Sequence, residues 1–204
     1  MKILDRARLT GGMRFRLNGS APAPAPARTD SPVKGIRRRR DKDLGACARL
    51  LEVVHYDAHY PVMRPDPPRA WLDHEDVADA WVAERLGEIL GHVAISAVGR
   101  DPVSALRWRE TTERQPSDLL AVSRFFVRPR VRDQGIGTAL LDVAVDEIRS
   151  RDKLPVLEMV GTRRDGIPFL ASRGWRLIAI DPWGPRDQDL YMCRYAAPRE
   201  QTTG

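Results

Sequence analysis

Apolar positions along the chain change period several times, and each change marks an element. Leu44, Ala48, Leu51 and Val54 recur at helical spacing behind Asp43, a residue suited to cap a helix start, so "DKDLGACARLLEVVHYDAHY" predicts a helix. The next stretch, "YPVMRPDPPRAWLDHEDV", is too rich in proline for regular structure beyond a short helical turn near Pro68 to Leu72. Two strands follow, "DAWVAERL" and "EILGHVAISAV", joined tightly around Gly87. A polar loop over roughly 99–117 then leads to "DLLAVSRFFV", apolar on both faces and therefore a central strand. Residues 135–150 place Ile136, Leu140, Val143, Val145 and Ile148 on a broad apolar helical face. "PVLEMV" reads as a short buried strand, and "RDGIPFLASRG" as a helix closed by Gly174. "WRLIAI" and "DLYMCRYA" supply two last strands, joined by the turn "DPWGP". The order is a β–α start, a β-meander and then β–α–β–α–β–β without internal repeat, which implies an α/β chain with a mixed sheet.

The front of the chain lacks such periodicity. Residues 1–33 include "GSAPAPAPARTDSP", where proline fixes φ and removes amide donors, so a disordered extension is expected there. One folded domain is expected over residues 34–197, with a disordered tail at 198–204. The net charge of +6 invites a nucleic-acid reading. However, residues 1–40 hold eleven Lys/Arg against Asp5 and Asp30, and the other 164 hold 23 against 26 Asp/Glu. The basic character thus belongs to the front, which argues against a nucleic-acid partner for the folded part. The run Arg37 to Arg40 suits either a nucleic-acid patch or the charged face of an edge strand; the helix start right behind it favours the strand. No apolar run approaches the ~20 residues of a membrane span, and the basic N-terminus lacks the apolar core of a secretory signal. Cys47 and Cys193 form no CxxC unit and read as buried small hydrophobes in a reducing cytoplasm.

The stretch "FFVRPRVRDQGIGTALL" carries the most chemistry. A central strand runs into a glycine turn that opens a helix, where the first amides lack intrahelical partners and attract anions. Arg128, Arg130 and Arg132 add cationic charge just ahead. A Walker A loop is excluded, because no lysine stands between Gly137 and Thr138. A dinucleotide fingerprint is disfavoured, because Leu140 occupies its third glycine position and the motif comes late in the chain. Arg132, Gly135 and Gly137 instead form R-x-x-G-x-G. With "AWVAERLGEILGHVAIS", "PVLEMV" and "GIPFLASRGWRLI" in the same order, this block resembles the GNAT superfamily of N-acetyltransferases over about residues 35–197.

The resemblance implies a GNAT-like fold, with a central mixed sheet of about six to seven strands, splayed at the cofactor site and flanked by about four helices. It implies acetyl-CoA as cosubstrate, with pantetheine along Phe125, Phe126 and Val127. The pyrophosphate would lie on the amides of Arg132, Asp133, Gln134, Gly135, Ile136, Gly137 and Thr138. The acetyl group would pass to a primary amine in a ternary complex, with a strand amide holding the thioester oxygen and a base removing the ammonium proton. Glu84, Ser123 and Tyr191 are the catalytic candidates; Glu158 and His92 are further possible bases, and Tyr195 a further proton donor. The family's usual helix tyrosine would fall on Leu170, and Arg163 stands near the place of its usual asparagine. Tyr56, Asp57 and Tyr60 would face a cationic acceptor, either a small molecule or a peptide. His55 and His59 stand at i, i+4, but no HExxH glutamate accompanies them, so no metal is expected. The chain is expected to be a monomer or a homodimer without a membrane partner. Two other functions compete: a non-catalytic acyl-CoA sensor, suggested by Leu170, and a nucleic-acid-associated protein anchored by the basic front.

Overall fold

Seven strands hydrogen-bond in the order β1-β2-β3-β4-β5-β7-β6 in the computed structural model, which describes residues 35–161, 167–184 and 189–198. They are β1 (Ile36–Arg38), β2 (Val77–Arg85), β3 (Glu88–Ser96), β4 (Leu119–Val127), β5 (Leu154–Gly161), β6 (Arg176–Pro182) and β7 (Tyr191–Ala196). Only β4 and β5 pair in parallel; every other neighbouring pair is antiparallel. Five α-helices occur among the described residues: α1 (Leu44–Ala58), α2 (Pro68–Leu72), α3 (Pro102–Thr112), α4 (Ile136–Ser150) and α5 (Ile167–Ser172). The extension over 1–33, Arg163 and residues 199–204 of the expected tail lie outside the described residues.

Strand alternation sorts the side chains into layers on two faces. On one face, Leu140, Leu141, Ala144 and Ile148 of α4 pack with Trp81, Val93, Val122 and Leu157. On the other, Leu50, Leu51 and Val54 of α1 and Leu72 of α2 pack against Val82, Ile89 and Phe126. Further along that second face, Trp108 of α3 is fully buried with Leu119, Ala121 and Val156.

The polar loop expected over residues 99–117 contains α3 instead. Pro102 stands in its first turn and the Asp101 side chain caps the Ser104 amide at 2.9 Å, so the start signal was present. Trp108 is the helix's one buried residue, and a single anchor leaves almost no apolar period to read. The arginine run does form an edge strand, and its charges meet acids. Arg37 pairs with Asp43 at 2.6 Å and Glu84 at 2.5 Å, Arg38 with Asp79 and Glu147, and Arg39 with Asp73 at 2.5 Å. Asp43 precedes α1 as expected but makes no cap bond to that helix. Its carboxylate accepts from Arg37 and from the Arg40 amide, which holds its pKa down at about 2.

Candidate active site

Pairing between β4 and β5 runs from Leu119–Leu154 to Val122–Leu157 and stops there. Beyond that point β4 continues on β3 as far as Val127, and β5 continues on β7 as far as Gly161. The parallel strands therefore diverge, and two cavities meet in the gap. The larger, about 1110 Å³, runs toward the start of α4 along Phe125, Val127, Arg132, Gly135, Gly137 and Thr138. The smaller, about 510 Å³, lies against Trp71, Asp76, Ser123, Arg124, Glu158 and Trp183. Tyr60, Phe125, Met159 and Phe169 line both.

The two glycines of the turn have different reasons. Gly135 sits at the helix N-cap with φ 79, in the left-handed region where a side chain is strained. It offers no side chain to cap the first-turn amides of α4. Gly137 lies inside the helix, and a Cβ there would meet Phe125 at 3.6 Å, Val127 at 3.7 Å and Phe169 at 3.9 Å. Those are ordinary contacts, so neither backbone conformation nor internal packing requires a glycine at 137. A ligand close to the first-turn amides would require one. An anionic group such as a pyrophosphate fits here, with free amides, the positive end of α4 and Arg132 on the same cavity wall.

A bulge in β4 shapes the other side of the gap. His92 pairs with Phe126 and Ala94 with Ser123, so β4 carries one extra residue and Arg124 takes φ 47. Its side chain is 7% exposed and engaged throughout. Nε donates to the Trp71 carbonyl at 2.5 Å and one terminal nitrogen to Ser96 at 2.8 Å and Ser123 at 3.2 Å. The other terminal nitrogen donates to Asp76 at 2.7 Å, and the guanidinium lies over the Trp71 ring at 5.2 Å. His92 holds the bulge from β3. Its Nδ1 donates to the Arg124 carbonyl at 2.8 Å while the ring stacks on Phe126. Burial lowers the His92 pKa to about 3, so the imidazole is neutral and structural, and it lines neither cavity.

The expected cofactor residues divide. Phe125, Phe126, Val127, Arg132, Asp133, Gly135, Gly137 and Thr138 line the larger cavity. Ile136 is buried in the core under α4, and the Gln134 side chain accepts from Arg85 at 3.3 Å. Of the expected acceptor residues, Tyr60 stands where the cavities join. Tyr56 is 88% exposed, and Asp57 lies 3.9 Å from Arg132; neither lines either of these two cavities. Of the catalytic candidates, Ser123 lines the smaller cavity, its hydroxyl 2.7 Å from that of Ser96. Glu84 pairs with Arg37 away from both cavities, and the Tyr191 hydroxyl donates to Asp189 at 2.9 Å. Tyr195 is buried in the core beneath α4, and burial pushes its phenol up to about 12.

Glu158 is the first β5 residue past the last paired position and lines the smaller cavity. Burial raises its pKa, against the opposing pull of Arg194, whose Nε donates to it at 2.7 Å. Sequence reasoning missed Arg124, Asp76, Trp71 and Trp183. The one signal for Arg124 was a charge inside a strand apolar on both faces.

The fold has solved relatives at low identity. An N-acetyltransferase from Staphylococcus aureus Mu50 superimposes with TM-score 0.59 at 16% identity, covering 79% of this chain and 95% of that one. The ribosomal-protein-S18-alanine N-acetyltransferase from Escherichia coli gives 0.58 at 18%, covering 80% and 92%. Ard1 from Thermoplasma volcanium gives 0.58 at 20%, covering 80% and 97%. At these identities the likeness establishes a shared fold, and no curated protein matches the chain in sequence. The sequence model of the acetyltransferase (GNAT) family matches residues 46–175, more than half of the chain, and the chain belongs to that family.

Proposed function

We propose that this protein is an acetyl-CoA-dependent N-acetyltransferase that passes the acetyl group directly to a primary amine. The observation that carries the reading is the gap that opens beyond Val122–Leu157 and runs on to a helix start with a glycine at 137. Acetyl-CoA, when bound, supplies an activated acetyl thioester. Gly137, Thr138 and Arg132 hold its pyrophosphate, and the β5-facing edge of β4 from Ser123 to Val127 offers backbone groups to the pantetheine. The bulge at Arg124 is followed by the Phe125 amide, which donates to the Tyr60 hydroxyl, so these two polar groups stand together in the gap.

Glu158 is the base. Its carboxylate lies on the wall of the smaller cavity, and its raised pKa brings it nearer to that of the ammonium it must deprotonate. Tyr60 takes the donor role that Leu170 leaves open. Its phenol, raised to about 12 by burial, stays protonated at neutral pH and stands where the two cavities join. Thiol release from acetyl-CoA across a panel of primary amines tests the reading: release should require the amine. Glu158→Gln should lower kcat by about a hundredfold or more. Unchanged turnover in the folded variant would remove Glu158 as base. A second reading, acyl-CoA binding without transfer, rests on Leu170, which is 3% exposed and lines the smaller cavity in place of a tyrosine. CoA binding without thiol release from any amine would favour it.

A further inference from the structure

We infer that the acceptor is a primary amine on an apolar body, aromatic or long aliphatic, with no second charge near the reacting nitrogen. This rests on reading the smaller cavity as the acceptor site. At about 510 Å³ it has the size of a small-molecule pocket, and Tyr60, Val62, Met63, Trp71, Phe169 and Trp183 give it mostly apolar walls.

Charge decides what such a pocket can take. Two carboxylates reach it, and each arrives with a guanidinium. Asp76 is paired with Arg124 at 2.7 Å, and Glu158 with Arg194 at 2.7 Å. Arg194 also pairs with Asp181, which in turn holds Arg107 at 2.9 Å. Each carboxylate on the wall therefore already has a guanidinium of its own, and no unpaired anion there awaits a second ammonium. A polyamine would bring an extra cation into an apolar cleft without a counter-ion, at a large desolvation cost. An α-amino acid would bring a carboxylate, and the cation on the wall is Arg124. Four of its five N–H donors already serve Trp71, Ser96, Ser123 and Asp76. A free amino acid therefore finds no better partner than a polyamine does. An aryl or alkyl body instead meets the ring of Trp183, the thioether of Met63 and the apolar rim of Val62.

The same chemistry comes from a small arylalkylamine or from the N-terminus of a peptide that begins with a large apolar residue. The test ranks tryptamine, phenethylamine and octylamine against spermidine, free lysine and glycinamide. It adds two short peptides that begin with Phe and with Ser. Each is assayed by thiol release from acetyl-CoA and by calorimetric binding to the CoA-loaded full chain. The apolar amines, or the Phe-first peptide among the peptides, should lead spermidine and lysine by about tenfold or more in kcat/KM. Whichever of the two sources is faster identifies where the acceptor comes from. Met63 is 70% exposed, so Met63→Glu should fold normally. It should lower kcat/KM for phenethylamine by about tenfold and raise it for spermidine, without changing the Kd of CoA. Spermidine or lysine leading the panel, or equal rates for all amines, would overturn the inference while leaving the acetyltransferase reading intact. Absent thiol release with every amine would overturn that reading instead, and the calorimetric ranking would then decide this one.

Discussion

Arg124 shows how one residue can hold both walls of a site. It is a non-glycine residue at φ 47 in the middle of β4, a conformation of about 1–3 kcal/mol that persists only where its surroundings enforce it. The enforcement is visible: the side chain reaches the α2 end at Trp71, the start of β2 at Asp76 and β3 at Ser96. Truncation would leave Asp76 without its buried partner. Arg124→Met is therefore expected to destabilise the chain by about 3–5 kcal/mol in denaturant unfolding. Adding Asp76→Asn should recover part of that loss, because the second change removes the unpaired charge. Additive losses in the double variant would show that the pair is not the source of the cost. Little of this was legible beforehand. "SRFFV" announces an arginine in an apolar strand, but which groups receive it depends on residues 28 to 53 positions away.

At the scale of elements, strands and amphipathic helices could be read because their periods repeat. α1 and α4 show broad apolar faces, and the β2–β3 hairpin turns through Leu86 at φ 52 and Gly87 at φ 80, where the sequence placed it. α3 could not be read in this way, since Trp108 is its one buried residue. The splay was expected from family resemblance, and the extra residue that β4 carries beside it leaves no mark on the hydrophobic pattern. Coupling between β3 and β4 at that bulge gives a pH signature. His92 titrates near 6.5 when unfolded and at about 3 when folded, so between those values the unfolded state binds the extra proton. Stability is fully present above about pH 6.5 and falls as the pH drops toward 3, by up to roughly 1.4 kcal/mol per unit. Comparing Tm near neutrality with Tm at about pH 5 should show a smaller drop for His92→Asn than for the parent chain. An equal drop in both would assign the acid sensitivity to other groups.

For the whole molecule, one architectural fact organises the site. Among the described residues the only parallel pair, β4 and β5, sits between two antiparallel blocks, and the strands part where each follows its own block. The gap thus comes from sheet topology rather than from any one side chain, and α4 begins beside it with uncapped amides. The central claim is that a CoA pyrophosphate lies on those amides, close to Gly137. Calorimetric titration of CoA into the parent chain and into Gly137→Ala tests it most directly. Because the added methyl would meet nothing closer than 3.6 Å within the protein, the variant should keep the parent Tm. Its Kd for CoA should rise by at least about tenfold. No CoA binding in the parent chain, or an unchanged Kd in the folded variant, would contradict the account.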